Sequence, residues 1–150
     1  MNRHHIRFTG SWKALLSPDA MYAKLADVGA YPTWWTGFRS VRQTGEHACV
    51  VVIQSVLLYS LTARMTAVVA DPAERVLKAA VDGDIAGTVG WTVEPGKPHG
   101  SVAHFTEHVT VQKAAVRRRM PIARPVFHIN HALAMRSGQR ALTALAHQSA

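Results

Sequence analysis

The chain has 150 residues, of which 48% are hydrophobic, and carries 17 Lys/Arg against 9 Asp/Glu. That length suits one domain over residues 1–150, and the apolar content excludes a disordered chain. The formal charge of +8 raises nucleic acid as a partner, but no recognition-helix or aromatic RNA-binding pattern accompanies it, and nucleic acid is set aside.

The lone Cys49 excludes an intramolecular disulfide and lies in a strand-like apolar run, where an inert buried thiol is expected. The longest uncharged stretch, Ala48 to Ala63, is too short for a membrane span and is interrupted by Gln54, Ser55 and Ser60. No signal-peptide core opens the chain, so a cytoplasmic location is expected.

In chain order, His4 to Trp12 alternates, with Ile6, Phe8 and Trp12 on one face, and reads as a half-buried strand. Ser17-Pro18 starts a short helix, with Ser17 as its cap. Tyr31-Pro32-Thr33-Trp34-Trp35 reads as a second short helix or tight turn, with one tryptophan packed inward and the other covering a rim. Strands separated by turns follow from Gly37. Gly45-Glu46-His47 marks the first turn, an unmarked turn falls near 55–58, and Asp82-Gly83-Asp84 is a tight-hairpin signal. Leu61, Ala63, Met65, Ala67 and Val69 alternate inward, as do Ile85, Gly87, Val89, Trp91 and Val93. The last strand puts Ala103, Phe105, Glu107, Val109 and Val111 on one face.

Arg124 to Ala146 reads as one long helix opened by Pro125. One arc gathers Phe127, His128, His131, Ala134, Met135, Gly138, Leu142 and Leu145; the opposite arc holds Arg136, Ser137, Gln139, Arg140 and Thr143. Val126, Ile129 and Leu133 leave the first half apolar nearly all round. They suit either burial against the two short helices or a homodimer contact.

This order resembles the helix-grip fold of the START and pollen-allergen-like (SRPBCC) superfamily. Tyr31-Pro32-Thr33-Trp34-Trp35, Gly83-Asp84-Ile85-Ala86-Gly87, and Arg124-Pro125-Val126-Phe127 followed by Asn130-His131 and Met135 resemble its polyketide cyclase/dehydratase branch. The resemblance implies an α+β fold: a curved antiparallel sheet of about seven strands around a long C-terminal helix, with a deep apolar cavity between them. It also implies a hydrophobic ligand, either a polyketide-like or aromatic substrate cyclised or dehydrated by acid/base chemistry without a cofactor, or a lipid-like molecule held by a non-catalytic carrier or sensor.

Glu107 is the one carboxylate on its apolar strand face, so it must be paired, hydrated or raised in pKa. A carboxyl tuned towards neutrality suits general acid/base work; a carboxylate near a strand end that reaches solvent would be structural. His131 projects from the apolar arc of the helix, as a proton shuttle or as a core histidine. Tyr59 adds an inward hydroxyl. Trp35, Met65, Trp91, Phe105, Phe127 and Met135 are the expected lining of a substrate site. His128 and His131, three apart on a helix, have no acidic or cysteine ligand nearby in sequence, so no metal site is expected. After Glu107 come seven Lys/Arg and no acid, including Arg117, Arg118 and Arg119. That run is either a solvated turn or a basic rim suited to an acidic carrier protein.

Overall fold

The computed structural model describes residues 5–54, 60–113 and 120–148, with backbone alone over 120–127 and 147–148. The turn near 55–58, Tyr59 and the arginines at 117–119 lie outside the described residues, as does the Phe127 side chain.

Strand β1 (His5–Ala14) alternates as its sequence requires, burying Ile6 and Trp12. The Ser17 hydroxyl then accepts the Ala20 N–H at 3.1 Å and caps α1 (Pro18–Ala26), whose first turn tolerates proline because no N–H partner is needed there. Met21 and Leu25 bury its inner side. A single 3-10 turn (Val28–Ala30) leads into α2 (Tyr31–Trp34).

The expected split of the tryptophan pair between core and rim is corrected. Trp34 and Trp35 are both buried, their rings stacked 5.6 Å apart. The backbone turns extended at Trp35, so the two side chains no longer diverge by a helical step.

Six strands follow as a meander: β2 (Phe38–Gly45), β3 (Ala48–Gln54), β4 (Ser60–Asp71), β5 (Val76–Gly83), β6 (Ile85–Pro95) and β7 (Ser101–Val111). They form a seven-stranded sheet in the order β1-β7-β6-β5-β4-β3-β2. Every neighbouring pair is antiparallel: β2 to β7 run back and forth in chain order, and β1 joins β7 from the other end of the chain. Register shifts in β2 and in β4 at Ala67/Val69 add local twist and help the sheet curl. At Gly87 (φ 152°) a Cβ would stand 1.9 Å from the His108 carbonyl oxygen, so only glycine lets β6 press this closely on β7. Asp84 pins the β5–β6 turn: its carboxylate accepts the Thr62 N–H at 2.8 Å, and its carbonyl accepts the Gln112 N–H at 2.7 Å.

Helix α3 (Met120–Gln148) lies along the concave face and is longer than the expected 124–146. Pro125 does not open it. Pro121 occupies its first turn, where a proline's fixed φ suits the helix and its missing N–H costs little. Gly138 and Leu142 are buried towards the sheet. Cover of Ile129 and Leu133 by the short helices is also corrected, since these side chains are 58% and 43% exposed. The short helices meet α3 on a different face, where Trp35 Nε1 donates to the Ala134 carbonyl at 2.9 Å. Among the described residues no helix is long and apolar enough to cross a membrane.

Candidate functional site

The inner face of the sheet is built largely from small and β-branched residues. Val51, Ala63, Val81, Ile85 and Val109 pack one end, while Trp12, Trp34, Trp35, Trp91 and Phe105 fill the other beneath α1, α2 and the second half of α3. Short side chains cannot bridge the gap from curled sheet to helix. The space left is a cavity of about 670 Å³, within the range of small-molecule sites.

Five of the expected lining residues, Trp35, Met65, Trp91, Phe105 and Met135, bound this cavity together with Glu107 and His131. Cys49 bounds it too, on β3, with its thiol pKa raised by burial. Tyr31, Val51, Ile53 and Ile85 are lining residues that the sequence did not single out. Their signal, an apolar residue on an inward face, is that of any core residue.

Glu107 lies mid-strand on β7, away from either strand end, with its side chain 14% exposed. Its cross-strand neighbours are Phe8 on β1 and Val89 on β6, both apolar. Burial among them raises its pKa from 4.5 to about 7. His131 reaches down from α3, and its Nε2 stands 3.5 Å from Glu107 Oε2. Burial, and the nearby His128, lower its pKa from 6.5 to about 4. Both groups are therefore pushed towards their uncharged forms, a carboxylic acid that donates and an imidazole with one nitrogen free to accept.

At 3.5 Å the pair is too far apart for a good direct hydrogen bond. One oxygen atom set to the side of the pair, about 2.8 Å from each, would lie within hydrogen-bond reach of both. The arrangement can thus hold an uncharged oxygen and pass a proton to it or from it.

The imidazole is itself held between rings. Phe8 stacks on it with centroids 3.6 Å apart and planes 1° from parallel, and Phe105 lies at 5.7 Å and 26°. His128, on the same helix, is exposed and packs edge-to-face with Phe8, their centroids 5.1 Å apart. Phe8 thus touches both of the histidines that sequence spacing alone would let share a metal. Among the described residues no three His, Cys, Asp or Glu side chains gather as a metal site would require.

Residues 5–146 match the family described as "Polyketide cyclase / dehydrase and lipid transport". The chain belongs to that family. No curated protein sequence matches it. Among solved structures, the chain resembles the Zhui aromatase/cyclase from Streptomyces sp. R1128 at 17% identity and TM-score 0.69, covering 96% of this chain and 93% of that one. A START superfamily protein from Mycobacterium smegmatis matches at 15% identity and TM-score 0.70, over 98% and 99% of the two chains. The di-domain aromatase/cyclase BexL from the BE-7585A biosynthetic pathway matches at 13% identity and TM-score 0.71, over 96% of this chain and 50% of that one. At these identities the likeness is one of fold. It places this member of the polyketide cyclase / dehydrase and lipid transport family in the START-like helix-grip architecture.

Proposed function

We propose that the protein binds a polyketide-like or aromatic ketone in the 670 Å³ cavity and promotes its cyclisation or dehydration by acid/base chemistry at Glu107 and His131. The observation that carries this reading is the buried pair itself: a carboxyl raised to about 7 and an imidazole lowered to about 4, 3.5 Å apart on a cavity wall. In an aldol closure, neutral His131 takes a proton from the carbon between two carbonyls. Protonated Glu107 gives its proton to the acceptor carbonyl oxygen as the new carbon–carbon bond forms. In the dehydration, a proton leaves the neighbouring carbon to the base and the departing hydroxyl receives one from the acid, releasing water. Neither step calls for a cofactor. An acidic carrier protein delivering a tethered substrate to the basic stretch after Glu107 belongs to the same proposal.

The lipid-transport half of the family description and the aliphatic wall of Val51, Ile53, Val81 and Ile85 favour a second reading, a non-catalytic carrier of a lipid-like ligand. One experiment separates the two. A short poly-β-ketone thioester is offered to the protein and ring closure is followed by absorbance, with binding of the neutral probe N-phenyl-1-naphthylamine measured in parallel. The catalytic reading expects Glu107→Gln to lower turnover by about 10² or more with probe binding retained. Probe binding without turnover in the parent, or turnover indifferent to Glu107→Gln, removes the catalytic reading and leaves the carrier.

A further inference from the structure

We propose that Phe8 is a positioning residue, whose ring fixes the plane of the His131 imidazole so that its Nε2 edge faces Glu107. The proposal rests, for its consequence, on the acid/base reading above. Its geometry stands apart from that reading.

Phe8 and Glu107 are direct cross-strand partners on β1 and β7. Directly opposed antiparallel residues project from the same face of a sheet, so clamp and carboxyl are built on a single rung. The imidazole arrives from the helix and is laid parallel on the Phe8 ring, with 3.6 Å between centroids. That is ring-contact distance. Turning the imidazole about its Cβ–Cγ bond would drive its atoms into the phenyl face, and Phe105, at 5.7 Å, also stands against it.

With the ring plane fixed, the ring nitrogens can point only along that plane, and one of them points at Glu107. The titratable groups nearest the imidazole are Glu107 from β7 and His128 from its own helix.

The test needs no substrate. Ring-labelled histidine lets the His131 resonances be followed by NMR from acid to alkaline pH. An imidazole edge facing Glu107 registers the ionisation of that carboxyl as an inflection near pH 7, which vanishes in Glu107→Gln. Phe8→Leu and Phe8→Met both fill the space without a flat face, so one serves if the other fails to fold; Phe8→Tyr restores the face. The expected result is an inflection at least about threefold smaller with Leu or Met and full with Tyr, since bulk alone does not set a ring plane. A full inflection in folded Phe8→Leu or Phe8→Met overturns the clamp while leaving the dyad intact. A parent protein without the Glu107-dependent inflection instead sinks the dyad.

Discussion

The opposed displacements of Glu107 and His131 make a stability measurement diagnostic without any knowledge of the ligand. Glu107 is raised from 4.5 to about 7, so between those values the native state keeps a proton that the unfolded chain has released. Its contribution is full below 4.5 and is lost as pH rises through 7. His131 is lowered from 6.5 to about 4, so the unfolded chain holds a proton that the native state refuses. Its contribution is full above 6.5 and is lost as pH falls through 4. Each displacement spans about 2.5 pH units and, at about 1.4 kcal/mol per unit, is worth about 3.5 kcal/mol over the whole titration, of which about 2 to 3 kcal/mol falls between the two pKa values.

Between pH 4.5 and 6.5 the two slopes cancel. The native pair carries its proton on Glu107 and the unfolded chain carries it on His131, so the number bound is the same. Each single variant should expose the slope its partner hides, read against Glu107→Gln/His131→Gln as the common background. His131→Gln should lose about 2 to 3 kcal/mol as pH rises from 4.5 to 7. Glu107→Gln should lose a similar amount as pH falls from 6.5 to 4. Urea unfolding at constant ionic strength measures both, and the parent should run parallel to the double variant across the middle of the range. If both single variants also run parallel to it, the two groups titrate as solvated side chains and the buried neutral pair does not exist.

Three further outcomes are expected. Gly138→Ala places a Cβ 2.5 Å from Trp12 Cη2 and 2.8 Å from Trp35 Cε2; both indoles are pinned by neighbours, so overpacking of about 1–3 kcal/mol outweighs the gain in helix propensity, and a thermal melt should fall by several degrees. Charged replacements at Ile129 and Leu133 should leave the melt of a dilute sample within about 0.5 kcal/mol of the parent, because these side chains are exposed; a larger loss, with dissociation seen by sedimentation, would mean that a second copy covers them. Reversing the charges of Arg117, Arg118 and Arg119 should weaken capture of an acidic carrier protein at low salt and matter little at high salt, and an unchanged affinity at low salt would leave the run as a solvated turn.

Much of the fold could be read from side-chain period and turn chemistry. Inward alternation placed Ile6, Trp12, Leu61, Ala63, Trp91 and Val93 correctly, and all are buried. The turn at 46–47 and the glycine at 83 fall where their sequences put them. What failed was position along a helix and its ends. Pro121 and Pro125 both suit a first turn, and local sequence has no term to choose between them. Trp34 and Trp35 went wrong for a related reason. A helical step separates adjacent side chains only while the helix continues, and here it stops between the two.

The site divides along the same line between local and non-local information. Glu107 and His131 were each visible as a polar residue interrupting an apolar face, which is a property of one strand or one helix. Their separation of 3.5 Å is not such a property. It depends on how far α3 is rotated and slid across the sheet, and close packing sets both: the buried Gly138 lets α3 settle on Trp12 and Trp35, while Trp35 bonds Ala134 one turn earlier. Phe8 was less visible still, because a phenylalanine facing inward looks the same in sequence whether it fills a core or flattens an imidazole. Only the β1–β7 pairing sets it opposite Glu107, and only the seating of the helix lays His131 on its face. The glycine and tryptophans that seat α3 therefore act on the site from one end of the cavity, without touching Glu107 or His131.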